Sequence, residues 1–172
     1  IISQHMYKYH DVNGNHVASK FRRTSDKQFW SEGPLSDCGL FGQNIFNQGG
    51  KYITVCEGEL DAMSAYELMG SKWPSVSLKN GAASAVKNCK QSLSYLSKFG
   101  TIVLCFDNDK PGRDAAQEVA KLFEPNKCKV MDLDLKDANE YLKTGQREKF
   151  TQAWWNSRTY TPAGIINLAD LG

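Results

Sequence analysis

No two of the five cysteines stand in a CxxC spacing. Cys38, Cys56, Cys89, Cys105 and Cys128 are scattered and odd in number, which excludes a zinc ribbon and a disulfide framework. They read as free thiols of a reducing compartment. No apolar run is long enough to cross a bilayer and no charged-then-apolar leader occurs, so a soluble intracellular chain without a membrane partner is expected. The glycine-rich nucleotide loops are missing too. There is no GxxxxGK[ST] for an ATPase motor and no GxGxxG after a strand for a dinucleotide fold. Charge of one sign is not in excess: 21 Lys and Arg against 19 Asp and Glu leave +2, too little to gather a polyanion by bulk field. Any anion site must be local. Repeats and low-complexity tracts are absent, and a chain that opens at Ile1 is expected to be a piece of a longer one.

What remains is 172 residues, 41% hydrophobic, enough for one full core and a small second lobe. From His5 to Phe46, short alternating runs surround turn residues, and Asn13-Gly14 is a strong hairpin signal, so this part predicts a small antiparallel β lobe. After Gly49-Gly50 apolar strands alternate with helical patterns, the texture of βαβ units and a mostly parallel sheet. Strands are predicted at 51–56, Pro74–Leu78, 101–106 and Cys128–Leu133. Helices are predicted over about 59–69, 83–98, 111–123, 137–143 and 147–157. The division this implies is a β-rich subdomain at 1–49, an α/β domain at 50–160, and a linker at 161–172 toward a further domain.

Two of these strands stop abruptly in acid. Glu57 ends YITVCE, and Asp107 and Asp109 end TIVLCFDND. Crowded carboxylates repel and raise each other's pKa, a conflict that a divalent cation resolves. Ligands of parallel sheets bind beyond the carboxyl ends of the strands, so these acids are expected to share one ion, magnesium, with phosphate chemistry. An isolated Asp-x-Asp is more often a turn or surface charge. Here it leads through Lys110-Pro111-Gly112-Arg113 into a helix, a site-forming position. Asp61 lies one helical turn beyond Glu57, and Gly58 keeps that turn open. Glu59 reads as decoration of a helix N-terminus, and Asp137 in LKDANEYL as an N-cap.

The segment from Leu78 through Lys79, Asn80 and Gly81 to Ala83 joins a strand to a helix and can turn backbone amides toward phosphate, with ordinary loop geometry the equal alternative. Lys20, Arg22, Arg23 and Lys27 follow the hairpin, Lys20 and Arg22 on one face. Such charges usually solvate a sheet, yet a basic face opposite an acidic metal cluster is what a nucleotide-polymerising site needs. Trp154 and Trp155 read as packing residues before base-stacking platforms.

Together, VCEGELDAMSAYEL, VSLKNGAASAVK, LCFDNDKPGRDAAQEVA and LKDANEYL, with SKFRRTSDKQFW before them, resemble the TOPRIM-containing primase domain of bacteriophage T7-type primase–helicases, over nearly the whole chain. The resemblance implies an α/β TOPRIM core with a mostly parallel sheet, and metal-dependent synthesis of short RNA primers from ribonucleoside triphosphates on single-stranded DNA. Glu57, Asp107 and Asp109 become Mg2+ ligands, with Mn2+ a possible substitute. Asp61 and Asp137 become supporting acids of the same centre, while Lys20, Arg22 and Lys27 contact nucleotide or template. Lys79, Gly81, Lys110 and Arg113 join the substrate side on weaker grounds. The zinc-binding module and the helicase motor of such proteins are not in this sequence and become expected partners, in the cytoplasm of a bacterial host or, for organelle relatives, a matrix. The rival readings are a TOPRIM nuclease and a non-catalytic single-stranded DNA-binding domain of a replicative helicase.

Overall fold

The computed structural model describes residues 1–162 and 168–171. Of the linker expected at 161–172, residues 163–167 and 172 lie outside the described residues, and Leu168–Leu171 form a 3-10 turn. Three antiparallel strands, β1 (Gln4–His10), β2 (His16–Arg23) and β3 (Phe29–Glu32), form the first sheet in that order. The β1–β2 turn closes as expected at Asn13-Gly14. Asp11 accepts from the amides of Asn13 and Asn15, each at 2.9 Å, and Gly14 takes φ 83°, the left-handed region that glycine enters without cost. One face of this sheet buries Tyr7, Tyr9 and Ala18 against Cys38.

The second sheet has five strands in the order β5-β4-β6-β7-β8. β4 (Gly50–Cys56), β5 (Ser75–Ser77), β6 (Phe99–Cys105) and β7 (Cys128–Val130) are parallel, and β8 (Arg158–Thr159) closes the edge antiparallel to β7. The register pairs Val55 with Leu104 and Cys56 with Cys105, so the central strands end level. Their interiors are near-continuous apolar runs because both faces are covered. On one face α1 (Glu59–Leu68), α5 (Ala138–Lys143) and α6 (Arg147–Trp155) build a core around Val103, Tyr141, Phe150 and Trp154. On the other, α2 (Ala85–Gln91), α3 (Leu93–Leu96) and α4 (Lys110–Ala120) enclose Ile53, Val55, Leu104 and Val119.

Three elements depart from the sequence reading, the first being the strand predicted over Cys128–Leu133, which ends at Val130. The helix predicted over 83–98 is broken at Ser92, whose hydroxyl bonds the Gln43 side chain at 2.9 Å, and the redirected chain buries Tyr95 and Leu96. β8 went unpredicted because two residues carry no alternation; Arg158 on it donates two hydrogen bonds to the Asp132 carboxylate, at 2.7 and 2.8 Å. Trp154 is a packing residue, 2% exposed, with its indole N–H on Thr54 Oγ1 at 2.9 Å. Trp155 sits edge-on to it and is half exposed. No helix among the described residues is long and apolar enough to cross a membrane.

Lys79 corrects an expectation outright. Its side chain is buried, and the ammonium donates to the carbonyls of Cys38 (2.7 Å), Leu35 (3.2 Å) and Ser36 (3.3 Å) and to Gln91 Oε1 (2.8 Å). Burial pushes it below the usual lysine range. Its job is to satisfy carbonyls of the loop that follows β3. Lys79→Met should lower stability by about 2–3 kcal/mol in chemical denaturation, because the buried acceptors lose their donor. A loss under about 0.5 kcal/mol would mean that water serves those carbonyls instead.

Candidate metal centre

β4 and β6 are neighbours, but the chain reaches one from the other by leaving on one face and returning on the other. α1 carries it out to β5, and α2 with α3 bring it back over β4 to β6. At such a switch point a crevice opens beyond the strand ends. Glu57 follows β4 and Asp107 follows β6, so both project there. Glu57 Oε1 accepts the Asp107 amide at 3.2 Å. Asp61 arrives from the first turn of α1, and Asp137 from the N-cap of α5, where its Oδ1 accepts the Glu140 amide at 2.9 Å. One carboxylate oxygen from each of Asp61, Asp107 and Asp137 lies within 4.8 Å of the other two.

Two glycines make this crowding possible. A Cβ on Gly112 would stand 2.2 Å from the Asp107 carbonyl oxygen, so only glycine lets α4 begin against that backbone. A Cβ on Gly58 would meet Asp61 Oδ2 at 3.3 Å.

The electrostatics explain what the cluster wants. Among the described residues, none of Glu57, Asp61, Asp107 and Asp137 has a basic partner in an ion pair. Burial, followed by the charges of Glu57, Asp61, Asp137 and Asp109, pushes Asp107 up to about 8. Burial and Asp137 push Asp61 up to about 7, against the opposing Asn139 amide. Glu57 is raised by burial and by Asp109, in part offset by the Asp107 amide. Convergent hard oxygens short of positive charge fit a divalent cation.

The trio drawn closest is therefore not the trio named from the sequence. Glu57 and Asp107 meet, but Asp109 turns to cap α4, accepting the Gly112 amide at 2.8 Å, and it does not line the cleft. Asp61 and Asp137, expected to support, sit in the tightest group, and Asp137 caps a helix as well. Glu59 stands in the first turn of α1 as expected, but it is no surface decoration. It is 4% exposed, and its Oε1 receives the Tyr9 hydroxyl at 2.9 Å and the Lys20 ammonium at 2.7 Å.

Opposite the acids stands the first sheet. Lys20, Arg22 and Lys27 line the same cavity of about 510 Å3 as Glu57, Asp61 and Asp107, with Gly81 and Asn80 at its rim. Lys20 is largely committed, since it also donates to the Lys79 carbonyl at 2.7 Å. Lys27 adopts φ 58° in the β2–β3 turn, held by its amide on the Arg23 carbonyl at 3.0 Å. Left-handed backbone at a non-glycine residue is costly and gathers at working sites. Lys110 and Arg113 stand apart: the first pairs with Asp114 at 2.7 Å in solvent, and the second bonds Asn108 at 3.1 Å. Sequence reasoning missed Phe29 and Lys136, which also line the cavity. Phe29 directly pairs with Arg22, a signal that β2–β3 register would have supplied.

Residues 54–142, which span all four acids of the cluster, match the Toprim-like family. The chain is 36% identical to the DNA helicase/primase of Enterobacteria phage T3 over 99% of its own length, spanning 30% of that protein. Among solved structures it resembles the primase fragment of the bacteriophage T7 primase-helicase protein, with TM-score 0.81 and 40% identity over 88% of this chain and 63% of that one. It also resembles a primase domain from a complex of T7 lagging-strand DNA polymerase with two primase domains bound to an RNA/DNA hybrid and dTTP. There the TM-score is 0.83 at 39% identity, over 91% of this chain and 79% of that one. By its matched core, its mixed sheet flanked by helices and its place among helicase-primase relatives, the chain belongs to the Toprim-like family.

Proposed function

We propose that this chain is the catalytic portion of a DNA primase, joining ribonucleoside triphosphates into short RNA primers on single-stranded DNA. The observation that carries the reading is one cavity with unpaired carboxylates on one wall and Arg22 and Lys27 on the other. Asp61, Asp107, Asp137 and Glu57 would hold Mg2+, or Mn2+ in its stead. Bound divalent cations supply Lewis acidity to a 3′-hydroxyl and neutralise a triphosphate. Arg22 and Lys27 would bind phosphate of nucleotide or template, and the Asn80-Gly81 turn would bound the triphosphate. Lys20 would position the basic wall, and Asp109 would act through the helix it caps. Positioning and electrostatics are most of what phosphoryl transfer asks of a protein.

We take residues 1–49 as the template-side subdomain and 50–160 as the catalytic domain. Zinc-binding and helicase modules, on the same polypeptide or in a replisome, would choose the start site and deliver template in the cytoplasm of a bacterial host. Incubation with single-stranded DNA, ribonucleoside triphosphates and Mg2+ or Mn2+ should yield short labelled RNA. Asp107→Asn and Asp137→Asn should each reduce that yield at least 100-fold. Retained synthesis in both would remove them from the centre, and DNA cleavage without nucleotides would favour a nuclease.

Linkage gives a second test. Asp107 at about 8 and Asp61 at about 7 bind their protons more tightly folded than unfolded, where such carboxyls titrate near about 4. The contribution of these two groups to metal-free stability is therefore fully present below about pH 4 and is lost as pH rises toward 8. Asp107→Asn should raise the melting temperature of the metal-free chain at pH 8 and leave it unchanged at pH 4. Mg2+ should raise it at pH 8 in the intact chain and far less in the variant. Equal melting of both proteins at pH 8, with and without the ion, would refute the shared-cation account.

A further inference from the structure

The strand that carries no core residue holds a large aromatic side chain in the cavities that the acid cluster lines. All four residues of β3 are exposed, and Phe29, at its start, is 52% exposed and joins none of the three apolar clusters among the described residues. A phenyl ring left half in water on a short strand gains little from burial. Yet the ring is held. The Lys20 ammonium lies 4.8 Å from its centroid and the Arg22 guanidinium 5.9 Å. Lys20 is itself tied to Glu59 and to a backbone carbonyl, so this cation fixes the ring at small entropic cost. Phe29 lines both the 510 Å3 cavity that holds Asp107 and a smaller one of about 160 Å3 that holds Asp61 and Asp137.

We infer that Phe29 is a nucleobase platform: the base of a ribonucleoside triphosphate stacks on its open side while the phosphates lie between Lys27 and the carboxylates. This deepens the primase reading and rests on it. Polar walls alone cannot tell a nucleotide from any other triphosphate. A flat apolar face beside them can, and it accepts every base because each has a π face. A cavity of about 510 Å3 is within the range of small-molecule sites, about 300–1,000 Å3. Phe29 would thus be a specificity-determining residue that raises affinity for the base without touching the reacting atoms.

Binding of two probes in Mg2+ separates the parts: a nucleoside triphosphate, and ribose 5-triphosphate, which lacks a base. The intact chain should bind the first about 5- to 100-fold more tightly than the second. Phe29→Ala should erase that ratio and leave ribose 5-triphosphate affinity unchanged. Phe29→Tyr should restore it, and in primer synthesis Phe29→Ala should raise KM for nucleotide with little change in kcat. Equal weakening of both probes by Phe29→Ala, or an intact chain that binds the two alike, would overturn the platform while leaving the metal-and-phosphate reading standing. Failure of the intact chain to bind ribose 5-triphosphate would overturn both.

Discussion

A buried carboxylate, Glu59, holds the molecule's two sheets in working relation. It takes the Tyr9 hydroxyl from β1 and the Lys20 ammonium from β2, and it belongs to the first turn of α1, which springs from β4. A charge so enclosed persists only with partners, and both partners come from the other sheet. The pairing therefore does more than add stability. It sets the basic strand face across from the strand ends where Glu57 and Asp107 emerge.

The acid cluster is the complementary case. Glu59 is compensated within the protein; Asp61, Asp107, Asp137 and Glu57 are not, and the raised titration of Glu57, Asp61 and Asp107 is the measure of that debt. Hydrogen bonds from Asn139, Glu140 and Asp107 amides orient the carboxylates without neutralising them. A parallel sheet brings such acids together at its switch point because successive strands end on one side and their helices diverge to opposite faces. The site is thus a consequence of winding order; Gly112 is the local concession that lets backbone come close enough, and Gly58 leaves room for the Asp61 carboxylate.

Two lysines show how residue type fails to announce role. Lys79 and Lys27 are both basic residues near predicted turns, yet one is swallowed by four acceptors and the other lines the cavity. The difference lies in neighbours supplied by distant parts of the chain. The loop at 35–38 offers Lys79 its carbonyls, whereas the tight β2–β3 turn, with Lys27 at φ 58°, leaves that side chain toward the cleft. The same applies to Phe29, whose exposure has meaning only beside Asp61 and Asp137.

The order of strands and helices was written in the chain itself. Period-two and helical patterns, the Asn13-Gly14 turn and acids closing apolar strands are local features that depend on near neighbours alone, and so were the fold class and the presence of an acidic centre. Tertiary structure decided which acids meet. Asp109 spends its oxygen on a cap, while Asp61 and Asp137, from α1 and α5, close on Asp107 because α1 and α5 pack on one face of the sheet. It also decided that Glu59 is buried, that the helix breaks at Ser92, and that β8 exists. Each depends on contacts between residues far apart in sequence, which no local pattern encodes.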